Sequence, residues 1–289
     1  MDKNGQFLIV GLGLLGGRYA LGLTRAGYRV AGVDTDPEAV GYALRQGYIR
    51  EGSGPEGCEV LVRAADYVVL AMYPGGVLPW VRQYGPLLKP GCLLTDVSGV
   101  KAGLLEPVQQ ELGGRAEFIG SHPMAGKEVS GVRNSALVDF APANFLITPT
   151  ERNTPRGLEF ARQLAGALGF AHVVVLSPAE HDRMIGYVSQ LTHAIAVSLM
   201  CASDNGHLSE YTGDSFRDLT RIARINAGMW SELFLLNKEN LAAEIDQFSA
   251  SLQQLKGCLE RDDREGLEQM FRLSTARRAA FDKKPGQGV

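Results

Sequence analysis

The sequence predicts an α/β protein with a doubly wound parallel sheet in the first part of the chain and an all-α domain after it. Short apolar runs alternate with helical stretches as far as residue 176, and a glycine-rich turn follows the first run. Beyond residue 177, apolar residues recur only at helical spacing. We therefore expect two domains, residues 1–176 and residues 177–289.

The apolar runs of the first domain are typical of strands that are buried on both faces. Strands are predicted over residues 7–10, 28–33, 67–71, 92–95, 117–120, 145–148 and 172–176, with a short one near Tyr48. Helices are predicted over residues 13–26 and 37–46. Right-handed crossovers between these strands then give a doubly wound sheet.

The second domain shows no strand pattern. Helical spacing of Leu, Ile, Met, Phe and Ala predicts helices over residues 179–205, 215–228, 231–258 and 264–281, and a frayed tail over 283–289. Ser177 is a suitable N-cap for the first of these helices, with Pro178 at the first helical position and Glu180 three residues after the cap.

Composition excludes several classes of protein. The 29 Lys plus Arg against 32 Asp plus Glu give a net charge of −3, which argues against binding nucleic acid. We find no secretory signal and no apolar stretch approaching the ~20 residues that span a bilayer, so we expect a cytoplasmic protein without a membrane partner. Without a CxxC pair we expect no metal, and the four cysteines are predicted to be reduced core residues: Cys58, Cys92, Cys201 and Cys258.

A glycine-rich motif predicts a dinucleotide site. It follows a predicted strand, opens a helix and matches GxGxxG, and we expect all six of its residues to bind the cofactor: Gly11, Leu12, Gly13, Leu14, Leu15 and Gly16. Asp34, at the end of the second strand, is placed to bind the ribose hydroxyls and to repel a 2′-phosphate. This context predicts a Rossmann-like domain that binds NAD rather than NADP; the alternative is a glycine-rich turn with an unrelated aspartate.

Two further segments lie where parallel strands end, at the edge of the sheet where ligands bind. Met72, Tyr73 and Pro74 follow a later strand and are predicted to lie near the dinucleotide. His122 follows the strand over 117–120 and is held by the proline after it. An imidazole titrates near pH 6.5, so His122 could take a proton from a substrate hydroxyl as hydride leaves the same carbon. A structural capping role is the alternative.

The residues around His122 carry a resemblance to a known family. The string His-Pro-Met-Ala-Gly-Lys-Glu-Val-Ser-Gly over 122–131, Ser-Gln-Leu-Thr-His over 189–193 and Phe-Arg-Asp-Leu-Thr-Arg-Ile-Ala over 216–223 resemble prephenate dehydrogenases, together with the dinucleotide motif. The resemblance covers nearly the whole chain. It implies a Rossmann-like domain, a helical domain that forms most of a homodimer interface, and NAD-linked oxidative decarboxylation of prephenate to 4-hydroxyphenylpyruvate in tyrosine biosynthesis.

The same resemblance implies roles for individual residues. His122 should bind the ring hydroxyl and act as the base, and Arg221 should bind a substrate carboxylate, which suits its guanidinium. His193 should lie near the substrate's side chain, and Glu128 and Asp218 should belong to the surrounding polar network. Hydride departure leaves a ketone, and CO2 can then leave as the ring becomes aromatic, so the reaction requires no metal.

The sequence departs from the family pattern in two places. Family members usually read Asp-x-Gly-Ser-Val-Lys before the histidine string, whereas Ser98 and Gly99 stand in exchanged order here; Ser98 is predicted to reach the catalytic site by a different backbone path. Gln190 and Thr192 replace a His and a Pro before His193. The remaining histidines, namely His172, His181 and His207, are predicted to be surface or capping residues. Arg217 and Arg224 are predicted to be solvated or ion-paired, or else to bind a second carboxylate.

Rival functions remain open from the sequence. Arogenate dehydrogenase shares the fold and chemistry but takes an amino group where prephenate has a keto group. A 3-hydroxyacid dehydrogenase also combines a Rossmann domain with a helical one, but it typically uses a helical-domain lysine and lacks the histidine string. A non-catalytic NAD-sensing scaffold would bind NAD without turning over prephenate.

Overall fold

A computed structural model of the chain describes residues 1–281, so the predicted tail over 283–289 lies outside the described residues. Eight strands form one sheet, in the order β3-β2-β1-β4-β5-β6-β7-β8. They are β1 (Gln6–Val10), β2 (Arg29–Val33), β3 (Glu51–Ser53), β4 (Tyr67–Leu70), β5 (Leu93–Asp96), β6 (Glu117–Pro123), β7 (Asn144–Thr148) and β8 (His172–Val175). The predicted α/β class with an all-α part after it is confirmed.

One pair of neighbouring strands differs from the predicted parallel arrangement. β6 and β7 pair in antiparallel fashion, whereas the other six pairs are parallel. A parallel connection needs a crossover, usually a helix, and between β6 and β7 the chain forms only the 3₁₀ segment Val132–Leu137. The short strand predicted near Tyr48 is instead β3, three residues further along.

Helices cover both faces of the sheet. They are α1 (Leu14–Arg25), α2 (Pro37–Arg45), α3 (Glu59–Ala64), α4 (Pro74–Tyr84), α5 (Leu105–Leu112) and α6 (Pro155–Leu168). Alternate residues of the central strand β1 enter two separate apolar clusters: Phe7 and Ile9 pack on one face, and Leu8 and Val10 on the other. The sheet is therefore buried on both sides, as the continuous apolar runs predict.

After Ser177, the described residues form helices and no strand, which confirms that prediction. They form α7 (Pro178–Ile185), a π-helical segment (Gly186–Leu191), α8 (Thr192–Cys201), α9 (Leu208–Tyr211), α10 (Asp214–Thr220), a 3₁₀ turn (Arg221–Ala223), α11 (Ala227–Leu236), α12 (Lys238–Glu260), α13 (Arg264–Arg278) and a last 3₁₀ turn (Ala279–Phe281). The predicted cap is present: Ser177 and Glu180 form a reciprocal capping box at the start of α7.

The helix predicted over 231–258 is two helices. Its interruption falls at Asn237, a buried residue whose Nδ2 donates to the backbone oxygen of Asp182 at 2.9 Å and to Gln190 Oε1 at 2.7 Å. These tertiary bonds leave the backbone of Asn237 outside the helical region, which local spacing cannot predict. By internal contacts the chain divides into the compact units Met1–Lys238 and Glu239–Val289, and the predicted domain boundary after residue 176 stays a prediction.

Two expectations from the sequence were wrong in part, one about the burial of the cysteines and one about apolar stretches long enough to span a bilayer. Cys58, Cys92 and Cys258 are free and buried as predicted, but Cys201 is exposed. The continuous helix Pro178–Cys201, 24 residues long, is also long and apolar enough to cross a membrane by length and composition. A single such helix is weak support for a membrane span. Its first turns carry the buried polar residues His181 and Asp182, of which His181 is hydrogen-bonded to His122 of β6 and Asp182 to the backbone N–H of Lys101 in the loop after β5.

Candidate active site

The predicted dinucleotide turn has close backbone packing at two of the three glycines of the motif, Gly11 and Gly16. Gly11 has φ +93°, and a Cβ there would lie 2.4 Å from the carbonyl oxygen of Ala71. A Cβ on Gly16 would lie 1.8 Å from the carbonyl oxygen of Gly11. A Cβ on Gly13, in contrast, would meet no atom within 4 Å. Space therefore exists beside Gly13, the N-cap of α1, where a pyrophosphate binds in this kind of turn.

Asp34 lies beside that turn and has a local structural role, while its predicted binding of the ribose stays a prediction. Its Oδ2 accepts a hydrogen bond from the backbone N–H of Leu12, and its Oδ1 accepts one from that of Asp36 at 2.8 Å. A cavity of about 250 Å³ opens next to these residues. Its lining includes Leu12, Gly13, Asp34, Asp36, Glu38 and the segment 130–134. The carboxylates at this cavity and the open space at Gly13 fit the adenosine and pyrophosphate of NAD.

The residues that follow the histidine string, from Val132 to Ser135, pack on α1, the helix that the dinucleotide turn opens. A Cβ on Gly17 of α1 would lie 2.9 Å from Val132 Cγ2 and 2.9 Å from Ser135 Oγ. Leu14 and Leu15, in the first turn of α1, pack against the same apolar cluster as Val132. The residues directly after the histidine string therefore pack on α1, the helix that the dinucleotide turn opens.

The predicted segment Met72-Tyr73-Pro74 lies at the start of α4, next to the carboxyl end of β4. Tyr73 is the N-cap of that helix, and its hydroxyl accepts a hydrogen bond from Asn226 Nδ2 at 3.2 Å. Glu232 of α11 accepts a hydrogen bond from the backbone N–H of Gly75, in the first turn of α4. The start of α4 thus contacts the helical part of the chain, which the sequence does not indicate.

His122 lies near the end of β6 and is held there by a buried ionic network. Asp96, at the end of β5, accepts hydrogen bonds from Lys101 Nζ at 2.6 Å and from the backbone N–H of Ser121 at 3.0 Å. Lys101 Nζ also donates to the carbonyl oxygen of Ser121 at 2.7 Å. The Asp96 and Lys101 side chains are fully buried, so each must be paired where it lies. The network fixes the residue directly before His122.

The predicted role of His181, the histidine next to His122, was wrong. His181 was expected to be a surface or capping residue, but it is fully buried and its Nε2 lies 3.0 Å from His122 Nδ1. The other side of its ring, Nδ1, lies 2.7 Å from Asp182 Oδ1. Its spacing offers a signal, because His181 lies four residues before the buried Ile185 on α7, and hence on the buried face.

Burial and charge make His122 a neutral imidazole near pH 7. Burial lowers the pKa of His122 well below its usual value, and the neighbouring His181 and the Lys101 ammonium lower it further. Burial also lowers the pKa of His181, although Asp182 opposes this. A neutral imidazole has one nitrogen free to accept a proton, which is the state that a general base requires.

The exchanged order of Ser98 and Gly99 has a visible consequence. A Cβ on Gly99 would lie 3.8 Å from His122 Cε1, so it is the glycine that faces the histidine. Ser98 donates its backbone N–H to Asp96 Oδ2 at 3.0 Å, and its Oγ is buried without a hydrogen-bond partner among the described residues. The structure does not place the Ser98 hydroxyl in contact with His122.

Arg221 and Glu128, two of the predicted substrate-binding residues, form an ion pair. Arg221 Nη1 donates to Glu128 Oε1, and 61% of the Arg221 side chain stays exposed. Burial raises the pKa of Glu128, but its own backbone amide and the hydrogen bond and charge of Arg221 lower the pKa below its usual value overall. A guanidinium that already binds one carboxylate and still faces solvent is suited to bind another.

The other charged residues near Arg221 are arranged differently. Asp218 is exposed on α10 and forms no hydrogen bond or ion pair with any residue from 1 to 281, so its place in a polar network stays a prediction. Arg217 donates to Asp214 Oδ1 at 3.2 Å on the surface, which agrees with the ion-paired alternative. His172 is exposed in β8, and His207 is exposed and lies 2.9 Å from Glu210 Oε1, both as predicted.

His193 is fixed by two contacts. Its Nδ1 lies 2.9 Å from the carbonyl oxygen of Ser189, and its ring stacks on Trp230 with ring centres 3.7 Å apart. Burial lowers the pKa of His193. Trp230 was missed by sequence analysis because it falls between two predicted helices. Gln190, which stands where relatives often carry a His, donates to the carbonyl oxygen of Leu233 at 2.9 Å and so holds α11 against the π-helical segment.

No group of three or more potential metal-binding side chains lies together within residues 1–281. A mostly parallel sheet with a GxGxxG turn and a carboxylate at the end of the second strand, followed by a helical part that adds ionisable groups at the same edge, defines the class: NAD(P)-linked dehydrogenases with a Rossmann-like domain and a helical domain.

The chain belongs to the prephenate dehydrogenase family. The family described as the nucleotide-binding domain of prephenate dehydrogenase matches residues 19–175, and the family described as its dimerization domain matches residues 177–273. The prephenate dehydrogenase of Bacillus subtilis strain 168 is 30% identical over 277 residues, which are 92% of this chain and 73% of that protein. The predicted resemblance is confirmed.

Solved structures give the same result. Prephenate dehydrogenase from A. aeolicus, in complex with hydroxyphenyl propionate and NAD+, superposes with a TM-score of 0.88 at 31% identity and covers 98% of this chain and 99% of that chain. The arogenate dehydrogenase of Synechocystis superposes with a TM-score of 0.80 at 25% identity and covers 96% of this chain and 100% of that chain. Both substrate classes thus occur among the neighbours of this fold.

Proposed function

We propose that this protein catalyses the NAD-dependent oxidative decarboxylation of prephenate to 4-hydroxyphenylpyruvate in tyrosine biosynthesis. The observation that carries the proposal is the position of His122 near the carboxyl end of β6, on the edge of the sheet where the dinucleotide turn lies. The resemblance to prephenate dehydrogenases over the whole fold supports it. The predicted domain boundary between residues 176 and 177 is part of the proposal.

Several residues would hold the cofactor. The N–H groups at the start of α1, near Gly13, would bind the pyrophosphate, and Asp34 would bind the ribose hydroxyls. Met72, Tyr73 and Pro74 lie next to the same sheet edge. Bound NAD would take the hydride from the ring carbinol, and CO2 would then leave as the ring becomes aromatic.

The protein itself would align the substrate and remove one proton. His122 would accept the proton of the ring hydroxyl. A base positioned in this way raises the reaction rate by roughly 10²–10⁴-fold. Arg221 would bind a substrate carboxylate, with Glu128 limiting where the guanidinium points. His193, stacked on Trp230, would contact the side chain of the substrate.

The proposal also includes Ser98 and Asp218. The Ser98 hydroxyl, buried and without a partner among the described residues, would be free to donate to a bound molecule. Asp218 lies one residue after Arg217 on α10 and is exposed, so its carboxylate would be accessible to a bound molecule. Both assignments come from the family resemblance.

A homodimer through the helical part is proposed as well. The continuous helix Pro178–Cys201 is only 28% buried over its apolar window within one chain. Large apolar side chains are exposed on α7, α8 and α11, among them Met184, Met200 and Leu235. A second copy would cover such a surface, and one domain of the family is described as a dimerization domain. A cytoplasmic location fits this arrangement.

Arogenate is the second candidate substrate, favoured by the resemblance to the Synechocystis enzyme. One experiment separates the candidates: NADH formation measured with purified protein on prephenate and arogenate in parallel. Turnover of prephenate in excess of arogenate supports the proposal, and the reverse ratio favours arogenate dehydrogenase. NAD binding without turnover of either substrate would favour a non-catalytic NAD-sensing scaffold.

A further inference from the structure

Three side chains form a line that ends at the proposed base. His122 of β6, His181 of α7 and Asp182 of α7 are joined by contacts of 3.0 Å between the two rings and 2.7 Å between His181 Nδ1 and Asp182 Oδ1. His181 and Asp182 are completely buried. The sequence gives no reason to connect residues 122 and 181, which lie in different parts of the chain.

The donor and the acceptor of each hydrogen bond among these three side chains can be assigned by starting from Asp182. Asp182 Oδ1 accepts the backbone N–H of Lys101 at 2.8 Å, and Oδ2 accepts the N–H of Ala102 at 2.6 Å. Both oxygens therefore act as acceptors, so the Nδ1 of His181 is the donor in its contact with Asp182. A neutral His181 then has its lone pair on Nε2, the atom that faces His122.

We propose that His181, oriented by Asp182, is a positioning residue that fixes His122 in the tautomer with its proton on Nδ1 and its lone pair on Nε2. This inference rests on the proposed function, in which His122 accepts the substrate's hydroxyl proton. The lone pair of His122 Nε2 then points away from His181. The other tautomer would set two lone pairs against each other at 3.0 Å.

The same line stabilises His122 after it has accepted the proton. The imidazolium keeps its Nδ1–H donated to His181, whose ring is polarised by the Asp182 carboxylate, and no proton needs to move along the line. Lys101 lies near the pair and is itself paired with Asp96 at 2.6 Å, but its ammonium still disfavours a positive charge on the two rings. Asp182 opposes that effect and is the carboxylate in direct contact with the pair, through His181 Nδ1.

The wild-type protein provides a test that does not depend on turnover. Long-range proton–nitrogen NMR of ¹⁵N-histidine protein distinguishes the two tautomers, and the chain has only five histidines. Signals are assigned by their loss in the variants His122→Asn and His181→Gln. We expect His122 and His181 both to carry the proton on Nδ1 above pH ~6.5. A His122 protonated on Nε2 would overturn the inference.

Paired variants test the same point by kinetics. His181→Gln can keep an acceptor oxygen near the position of Nε2, whereas His181→Leu has none. We expect His181→Leu to lower kcat by about 10²-fold while KM and NAD affinity stay unchanged, and His181→Gln to recover most of that loss. His172→Leu, on the exposed edge strand, is the control and should have wild-type kcat.

The outcomes separate this inference from the proposed function. Equal kcat in the Leu and Gln variants would overturn the positioning role, even if the wild type turns over prephenate. If the wild type turns over neither prephenate nor arogenate, the proposed function fails, and the NMR tautomer still decides the positioning role. If His181→Leu does not fold, the tautomer in the wild type and the kcat of His181→Gln decide.

Discussion

Arg221 donates a hydrogen bond to Glu128 and thereby connects the 3₁₀ turn after α10 to the loop that follows β6. The loop contains most of the histidine string over residues 122–131, and the turn lies in the helical part of the chain. A substrate carboxylate that binds Arg221 would enter between these two segments. The pair therefore sets where the guanidinium lies before substrate arrives.

Replacing the arginine should weaken substrate binding more than chemistry. We expect Arg221→Gln to raise the KM for prephenate by roughly 10–100-fold with a small effect on kcat, because a charged hydrogen bond of about 1.5–3 kcal/mol is lost from both ground and transition states. Steady-state kinetics measure this. Arg217→Gln, which removes a surface ion pair, is the matched control, and an unaltered KM in Arg221→Gln would refute the role.

Replacing the proposed base should weaken chemistry more than binding. We expect His122→Asn to lower kcat by about 10²-fold or more while the affinity for NAD stays close to that of the wild type, since His122 is not in the dinucleotide turn. The measurements are turnover and NAD titration by protein fluorescence. His207→Asn, at an exposed site, should behave as wild type. Unchanged turnover in His122→Asn would remove the assignment.

Two glycines of the dinucleotide motif should respond to alanine in different ways. A methyl on Gly16 would lie 1.8 Å from the carbonyl oxygen of Gly11, so Gly16→Ala should destabilise the protein by about 1–3 kcal/mol. A methyl on Gly13 meets no protein atom, so Gly13→Ala should keep its stability and lose NAD affinity. Thermal unfolding and NAD titration distinguish the two. Equal stability of both variants would contradict this packing argument.

Asp34 should decide between the two dinucleotides. We expect Asp34→Asn to bind NAD more weakly and NADP more tightly than the wild type, because a carboxylate that accepts from ribose hydroxyls and repels a 2′-phosphate becomes neutral. Comparing kcat/KM for NAD and NADP measures the change. Asp36→Asn, two residues further along the chain and at the same cavity, controls for net charge. An unchanged NAD to NADP ratio in Asp34→Asn would show that this carboxylate does not discriminate.

Acid should destabilise the fold through its neutral histidines. His122 and His181 have a lowered pKa in the folded protein, so below pH ~6.5 the unfolded chain binds protons that the folded chain does not. Stability is fully present above that pH. As the pH falls from there toward the folded pKa, the free energy of unfolding should decrease by about 1.4 kcal/mol per pH unit for each such histidine.

Urea unfolding at several pH values between about 5.5 and 7.5 tests this dependence. His122→Asn should show a shallower loss of stability in acid, because one neutral histidine has been removed. His172→Asn, at an exposed strand, should match the wild type. A stability that is constant across this range would contradict the neutral state of the two histidines.

The sequence predicted the fold class because local signals repeat along the chain. Apolar runs bounded by turns gave most strands of the sheet, and the GxGxxG spacing identified the dinucleotide helix α1. Predictions failed where tertiary contacts override local pattern. The antiparallel β7 depends on a connection without a helix, and the interruption at Asn237 depends on its bonds to Asp182 and Gln190.

Only part of the candidate site was predictable from the sequence, namely the residues at the ends of strands. Gly11, Asp34 and His122 lie at strand ends, where sequence position alone places a side chain at the ligand-binding edge. His181 was misassigned, and Trp230 was missed, because the partners that define them are distant in sequence. Helical spacing places His181 on the buried face of α7, but it does not show that the ring contacts the proposed base.

The order of residues along the chain was enough to determine which edge of the sheet carries the cofactor turn and the histidine, because strand direction and strand ends follow from local pattern. Only the three-dimensional packing decided what stands behind that histidine. Helix α7 brings His181 against His122 near the end of β6, and a hydrogen bond between residues 59 positions apart depends on a distance that no local spacing encodes.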